Sequence, residues 1–311
     1  MTKSDRKMQL LTYFFRKTFR FWEKVGFHLT PVHFYQPIPD TKELLLDKKR
    51  IWLKSELVGI NMNDNLQLEF LHKIFPKYYN EYVKFAKNEN ERCSEHDFYF
   101  GNVAFESVDA EVLYCMIRYF KPSKVIEIGS GFSTLLIAQA SQYNRKEGKD
   151  LDLIVIDPYP RNMIENLPEI SSVIKKRVQE IDFAFFQQLC SGDILFIDSS
   201  HVVKTGADVN YMYLEVLPRL KEGVIIHTHD IFIPMEYPED WVLREHRFWT
   251  EQYLLQAFLI HNSVFGILWA GHYMHLSYPK ELKSSFPSYD SKNTIPGSLW
   301  IRKNEITRRN K

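Results

Sequence analysis

A short apolar run that ends in two closely spaced glycines limits what this chain can fold into more than any other feature. The run is Lys124-Val-Ile-Glu-Ile128, and its β-branched residues predict a buried parallel strand. Gly129 and Gly131 follow and predict a tight turn. Apolar residues then recur at helical spacing, and Ser133 is suited to cap that helix. The stretch therefore predicts a strand, a glycine turn and a helix.

The same unit indicates the kind of ligand that it binds. Glycines let a ligand approach the backbone, and the following helix presents free N–H groups. Thr134 takes the third small position of the dinucleotide-binding fingerprint, and Glu127 would repel a pyrophosphate lying on the turn. A nicotinamide-dependent dehydrogenase is therefore disfavoured. A cationic ligand without phosphate, with an amino-acid portion and a ribose, fits these residues better.

The motifs of this region resemble those of a known enzyme family. The segment Glu127–Ser133 resembles the first motif of class I S-adenosylmethionine-dependent methyltransferases. The segments Phe196–His201 and Ile226–Asp230 resemble the Asp-x-x-His and His-Asp signatures of a bacterial branch of these enzymes. The resemblance implies S-adenosylmethionine as the cofactor, with Asp157 on the ribose hydroxyls. The cofactor-binding residues that we expect are Glu127, Gly129, Ser130, Gly131, Ser133, Asp157 and Asp198.

The resemblance also implies a fold. We expect an α/β, Rossmann-like class I methyltransferase fold, in which a seven-stranded, mostly parallel sheet carries helices on both faces. In this family the seventh strand runs antiparallel, between the fifth and the sixth. We expect the third strand within residues 173–181. Residues 1–97 are predicted to form a helical N-terminal extension or cap, and residues 98–311 the S-adenosylmethionine-binding methyltransferase domain.

Polar side chains follow two successive predicted strands. Asp198 and His201 follow the fourth strand, and His229 and Asp230 follow the fifth. Because parallel strands end at the same edge of a sheet, the two clusters are expected to meet. The predicted catalytic residues are therefore His229, His201, Asp198 and Asp230.

Three roles are open to this cluster. His201 or His229 could be a general base that takes the proton of an acceptor hydroxyl. Asp198, His229 and Asp230 could instead hold a divalent metal ion that lowers the pKa of that hydroxyl. The side chains could also hydrogen-bond to one another and only stiffen the strand ends. We expect O-methylation of a small-molecule, glycan or natural-product acceptor. The alternative is a catalytically inactive S-adenosylmethionine-binding protein or a membrane-recruited partner.

The N-terminal stretch differs in character from the rest. Within residues 7–24, leucines and aromatic residues fall on one helical stripe, with basic residues on its flanks. Such a helix can make a peripheral contact with an anionic membrane surface. It can equally pack on the domain, or on a second copy of the chain in a homo-oligomer.

The composition of the chain indicates which partners and which cellular compartment to expect. A net charge of +1 gives no general attraction to nucleic acid, so we expect no nucleic-acid partner. Cys93, Cys115 and Cys190 form no metal-binding spacing and favour free thiols in a reducing cytoplasm. The expected location is cytoplasmic, or peripheral at the inner membrane if residues 7–24 bind lipid.

Overall fold

The computed structural model describes residues 3–305, without the side chains of residues 3–10. The part of the basic aromatic stretch that precedes Leu11 therefore lies outside the described side chains. The chain divides into two compact units. One comprises the residues up to Leu53 together with Pro238–Phe248, and the other comprises Lys54–Tyr237 and the residues from Trp249 onward.

Helices occur in both units. In chain order they are α1 (Lys3–Val25), α2 (Thr41–Leu46), α3 (Lys48–Ile51), α4 (Asp64–Glu69), α5 (Tyr79–Tyr82), α6 (Asp109–Phe120), α7 (Phe132–Lys146), α8 (Asn162–Glu165), α9 (Asp208–Tyr211), α10 (Leu217–Arg219), α11 (Glu239–Leu243), α12 (Glu251–Leu259), α13 (Gly271–Ser277) and α14 (Pro279–Ser285). A π-helical turn, Met212–Val216, joins α9 to α10. Within the first unit, Lys48 of α3 forms an ion pair with Glu239 of α11 at 2.6 Å.

The second unit is built on one sheet, in which residues 3–305 contribute seven strands. They are β1 (Lys124–Ile128), β2 (Asp152–Ile156), β3 (Ile170–Ile174), β4 (Ile194–Ile197), β5 (Ile225–Thr228), β6 (Phe265–Ala270) and β7 (Leu299–Lys303). Their order is β3-β2-β1-β4-β5-β7-β6. The first five strands are parallel, and β7 is antiparallel to both β5 and β6. The expected fold, including the inserted antiparallel seventh strand, is confirmed.

Apolar side chains alternate between the two faces of the sheet and bury a core on each. On one face, Val125 of β1 packs in a layer with residues of α6 and α7. On the other face, Ile126 and Ile128 pack in a layer with residues of α9, the π-helical turn and α12. These two layers explain why the central strands are mainly apolar on both faces, as in parallel sheets covered on both sides.

Residues 54–97 belong to the same compact unit as the sheet, whereas the sequence analysis assigns them to an N-terminal cap. Phe70, Leu71 and Phe75 follow α4 and are almost completely buried. The Phe75 ring lies 5.3 Å from the Trp269 ring of β6, in the core layer that contains Val125. Of the residues that precede the sheet, only those up to Leu53 therefore belong to the other compact unit. Among the described residues, no helix combines the length and apolarity needed to cross a bilayer.

Candidate active site

The glycine turn after β1 lies directly against the end of β4. Gly129 has a φ of +84°, and a Cβ at this position would collide with the carbonyl oxygen of Asp198. The Asp198 N–H donates to the carbonyl oxygen of Ile128 at 2.9 Å. Only glycine combines this backbone conformation with such a close approach. The turn therefore brings the end of β1 and Asp198 to one place.

Glu127 lies beneath this turn and is shielded from solvent. The Ser133 hydroxyl donates to Glu127 Oε1 at 2.6 Å, whereas Glu127 Oε2 has no hydrogen-bond partner within residues 3–305. Burial raises the pKa of Glu127 to about 8, although hydrogen bonds from Ser133 and Thr134 oppose this effect. Ser133 thus orients Glu127 and does not cap α7. The Gly131 N–H donates to the Thr134 hydroxyl oxygen at 3.0 Å at that helix start instead.

Asp157 follows β2 and is held toward the same turn. The Ser130 hydroxyl donates to Asp157 Oδ2 at 2.5 Å, and the Tyr159 N–H donates to Asp157 Oδ1 at 2.8 Å. A cavity of about 570 Å³ opens beside these residues, at the carboxyl ends of β1, β2 and β4. Its walls include Gly129, Asp157 and Asp198. In open α/β sheets this edge is where ligands bind.

The two polar clusters that follow β4 and β5 do meet. His201 Nε2 lies 3.2 Å from Asp198 Oδ1 and 3.5 Å from Asp230 Oδ2. His229 Nδ1 lies 3.6 Å from Asp230 Oδ2 and 3.9 Å from Asp198 Oδ2. Four side chains from two strand ends therefore surround one small volume beside the cavity.

The set of side chains best placed for a metal ion differs from the one expected. Atoms of Asp198, His201 and Asp230 that could bind a metal lie within 4.8 Å of one another. The metal-binding set expected from the sequence contains His229 in place of His201. His229 makes only longer contacts with these carboxylates, and its Nε2 atom lies 3.7 Å from Asp109 Oδ2. Its ring is thus shared between Asp109 and Asp230.

Two residues that the sequence analysis did not select hold His201 in place. His201 Nδ1 lies 2.8 Å from Oε2 of Glu251, which is completely buried. The centroid of the Trp249 ring lies 4.4 Å from that of His201. In the sequence, Glu251 looks like an ordinary acidic residue in the first turn of a helix. Only its proximity to His201 marks it as part of the site.

Asp109 is a third such residue. Its carboxylate accepts the N–H groups of Gly297 at 2.7 Å and Ser298 at 3.0 Å, just before β7. It also faces His229. From the sequence, Asp109 at the start of α6 is compatible with an interaction with the helix dipole or with a contact to the cofactor. In the structure Asp109 ties α6, the start of β7 and His229 together.

Carboxyl groups outnumber imidazoles in this cluster. Burial alone would raise the pKa of Asp198, but the hydrogen bond from His201 and the positive charges of the histidines lower it to about 2. Burial alone would lower the pKa of His201, but hydrogen bonds with Asp198 and Glu251 raise it to about 10. Burial alone would also lower the pKa of His229, but Asp230 and Asp109 raise it well above its ordinary value. The cluster is therefore a strongly cation-attracting environment.

Comparisons with known proteins give the following matches. Residues 126–231 match a family model described as a methyltransferase domain. An uncharacterized protein of Archaeoglobus fulgidus is 31% identical over 175 residues, which cover 53% of this chain and 76% of that protein. A solved structure described as "cmcI-D160 Mg-SAM" is 15% identical with a TM-score of 0.33, over 65% of this chain and 73% of that one.

The matched domain begins in β1 and ends just beyond β5, so it contains the glycine turn, Asp157 and both polar clusters. The sheet order, with an antiparallel β7 between β5 and β6, is the order that the resemblance of the motifs implies. Motif, domain match and topology thus agree. Residues 126–231 are therefore a methyltransferase domain.

Proposed function

We propose that this methyltransferase transfers the methyl group of S-adenosylmethionine to a hydroxyl oxygen of a small-molecule or glycan acceptor. The supporting observation is the group formed by Asp198, His201 and Asp230 beside the cavity of the glycine turn. A hydroxyl is a poor nucleophile until its proton is removed or its pKa is lowered. Carboxylates and imidazoles next to the methyl donor are the side chains that can do this.

The cofactor fits the residues around the glycine turn. Glu127 offers a buried carboxylate oxygen without a partner in the described chain, which suits a cationic amino group. Asp157 offers a carboxylate at the end of β2, where it can accept the hydroxyls of a ribose. Ser130 orients Asp157, and Ser133 orients Glu127. Gly129 lines the cavity, so the backbone of the turn can face the ligand there.

A divalent cation also fits the site. Asp198 and Asp230 supply carboxylate oxygens, and His201 supplies Nε2, while its Nδ1 is held by Glu251. A mixed set of oxygen and nitrogen donors suits manganese, iron or zinc better than magnesium. When bound, such an ion would lower the pKa of an acceptor hydroxyl.

We propose that His229 is the base that takes the proton of the acceptor hydroxyl. His201 Nδ1 is held by Glu251 and its Nε2 faces the proposed metal site, whereas the His229 ring nitrogens lie more than 3.5 Å from the nearest carboxylate oxygens. The pKa of His229 lies well above its ordinary value because Asp230 and Asp109 outweigh the effect of burial. His229 can therefore accept a proton only when the charge of these carboxylates is compensated. Its role as a base therefore depends on whether the neighbouring carboxylates bind a cation.

The proposal is tested by measuring S-adenosylhomocysteine release with a panel of catechols and glycosides, before and after treatment with a chelator. We expect turnover to need Mn²⁺, Fe²⁺ or Zn²⁺. D230N and H201Q should each lose about 100-fold, because the first replaces a charged oxygen donor with a neutral amide and the second removes the imidazole nitrogen. The exposed D150N variant is the matched control and should behave as the wild type. Calorimetric S-adenosylmethionine binding should persist in D230N, which separates lost chemistry from lost cofactor.

Two outcomes would contradict the proposal. Turnover that survives both chelation and the D230N substitution would contradict the proposed metal-binding role of this cluster. Methyl products on nitrogen or carbon, without any on oxygen, would remove the assignment of the acceptor atom. Intact cofactor binding without turnover on any acceptor would favour the alternative of an inactive cofactor-binding protein.

A further inference from the structure

Exposed apolar side chains share one side of the helix α1, and its basic side chains lie beside them. Leu11, Phe14, Phe21 and Val25 follow one another at intervals of three, seven and four residues, and so share one side of the helix. Their exposed fractions range from 41% to 61%. Exposed apolar surface on this scale marks a binding surface more often than chance. We call these four residues the apolar stripe.

The helix also carries an excess of positive charge. Residues 11–25 contain Arg16, Lys17, Arg20 and Lys24 but a single acidic residue, Glu23, which gives a net charge of four minus one, or +3. The whole chain carries only +1. The basic character is therefore local to this helix, and its natural complement is an anionic surface.

The segment after α1 continues the exposed aromatic surface. The helix ends at Gly26, whose φ is +92°, and the Phe27 N–H donates to the carbonyl oxygen of Trp22 at 3.0 Å. Phe34 and Tyr35 are each 82% exposed, and their ring centroids lie 4.3 Å apart. Aromatic rings of this kind are enriched at the boundary between lipid and water.

We propose that α1 and the aromatic segment of residues 27–35 bind the surface of an anionic lipid bilayer. The apolar stripe would enter the boundary between headgroups and acyl chains, and the basic residues would face the lipid headgroups. A helix with four basic residues in this part is unsuited to crossing the bilayer, and within residues 3–305 no helix meets the requirements of a span. A nucleic acid would use the basic side but leave the apolar stripe uncovered. The inference is independent of the proposed methyl acceptor.

The test is sedimentation of the full chain with vesicles of phosphatidylcholine alone, or of phosphatidylcholine with phosphatidylglycerol. We expect binding only to the anionic vesicles, and weaker binding at high salt because the charges are screened. The variant F14S/F21S/V25S removes most of the apolar stripe. Its matched control is L45S/L46S/L53S, which replaces three other exposed apolar residues of the same compact unit. The first variant should lose at least about tenfold in vesicle partitioning, and the control should not.

Two charge-reversal variants test the contribution of the basic residues. R16E/R20E should weaken binding to anionic vesicles, whereas K42E/K49E, which changes the same number of charges outside α1, should not. S-adenosylmethionine binding serves as the check that each variant is folded. No binding of the wild type to anionic vesicles would overturn the proposal. So would a change of oligomeric state in F14S/F21S/V25S with unchanged vesicle binding, because the apolar stripe would then cover a second copy of the chain.

Discussion

Glu127 carries a carboxyl group where water does not reach it. Burial is the largest influence on its pKa, which rises to about 8. Without ligand, Glu127 is therefore mostly protonated at pH 7. A cationic group bound beside it favours the ionised form. We therefore expect the binding of S-adenosylmethionine to release the proton of Glu127 to solvent.

This proton release can be measured by calorimetry in buffers of different ionisation enthalpy. At pH 7 we expect wild type to release more protons on binding S-adenosylmethionine than E127Q, which cannot ionise at this position. Wild-type affinity should rise as the pH increases from about 6 to 8, because less work is then needed to deprotonate Glu127. The exposed E43Q variant is the control, and NADH should not bind.

Alanine at Glu127 or Asp157 should abolish binding of S-adenosylmethionine and S-adenosylhomocysteine. Unchanged affinity in both alanine variants would contradict the assignment of these residues to the cofactor. Equal proton release in wild type and E127Q would show that another group supplies the proton.

At this scale the sequence predicts which residues meet but not how they pair. The expectation that Asp198, His201, His229 and Asp230 share one sheet edge follows from the parallel strands. The pairing depends on His201 and Asp230, whose φ values are +58° and +57°. Nothing in the sequence pattern signals a left-handed backbone at these positions. Such a conformation redirects the side chains, so that His201 replaces His229 in the candidate metal set.

At the scale of elements, α12 holds His201 from two directions. The N–H groups of Thr250 and Glu251 donate to the His201 carbonyl oxygen at 2.9 and 3.0 Å. The Glu251 carboxylate, at the start of the same helix, also forms a hydrogen bond with the His201 ring. Glu251 is therefore a positioning residue, which directs His201 Nε2 toward Asp198 and Asp230. Hydrogen-bonded carboxylates of this kind commonly orient metal-binding histidines.

Calorimetry with Mn²⁺ alone can test this role. We expect E251A to lose about 10-fold to 100-fold in Mn²⁺ affinity, and E251Q to lose less, because the amide oxygen can still accept from His201 Nδ1. Q256A, on the same helix, is the control. Thermal unfolding of each variant shows whether it is folded, and E251Q decides the question if E251A is not. Wild-type affinity in a folded E251A would contradict the positioning role.

Elements with mixed composition were the hardest to predict. The third strand was expected within residues 173–181, but β3 spans Ile170–Ile174. Ser171 and Ser172 interrupt its apolar pattern and are exposed, because β3 is an edge strand. β1 contains the β-branched residues Val125, Ile126 and Ile128, and it lies where the pattern predicts it.

For the whole molecule, the sheet could be predicted and the division of the chain could not. The order of the strands follows from the family that the motifs resemble. Residues 54–97 show helical periodicity, but periodicity does not reveal what a helix packs against. Phe70, Leu71 and Phe75 join the core of the sheet, so the division of the chain falls at Leu53. The compact unit that contains the sheet therefore includes residues 54–97 as well.

The position of β7 also has a consequence for biosynthesis. Within the described chain, β6 pairs only with β7, and β7 alone fills the gap between β6 and β5. The ribosome makes residues 265–270 before residues 299–303. Until the later residues emerge, the apolar β5 has an open edge and β6 has no neighbour, and open edges invite pairing with other chains. Nascent chains arrested before Leu299 should therefore crosslink to ribosome-associated chaperones more than chains arrested after β7 has emerged. Equal crosslinking would show that another contact protects β5 during synthesis.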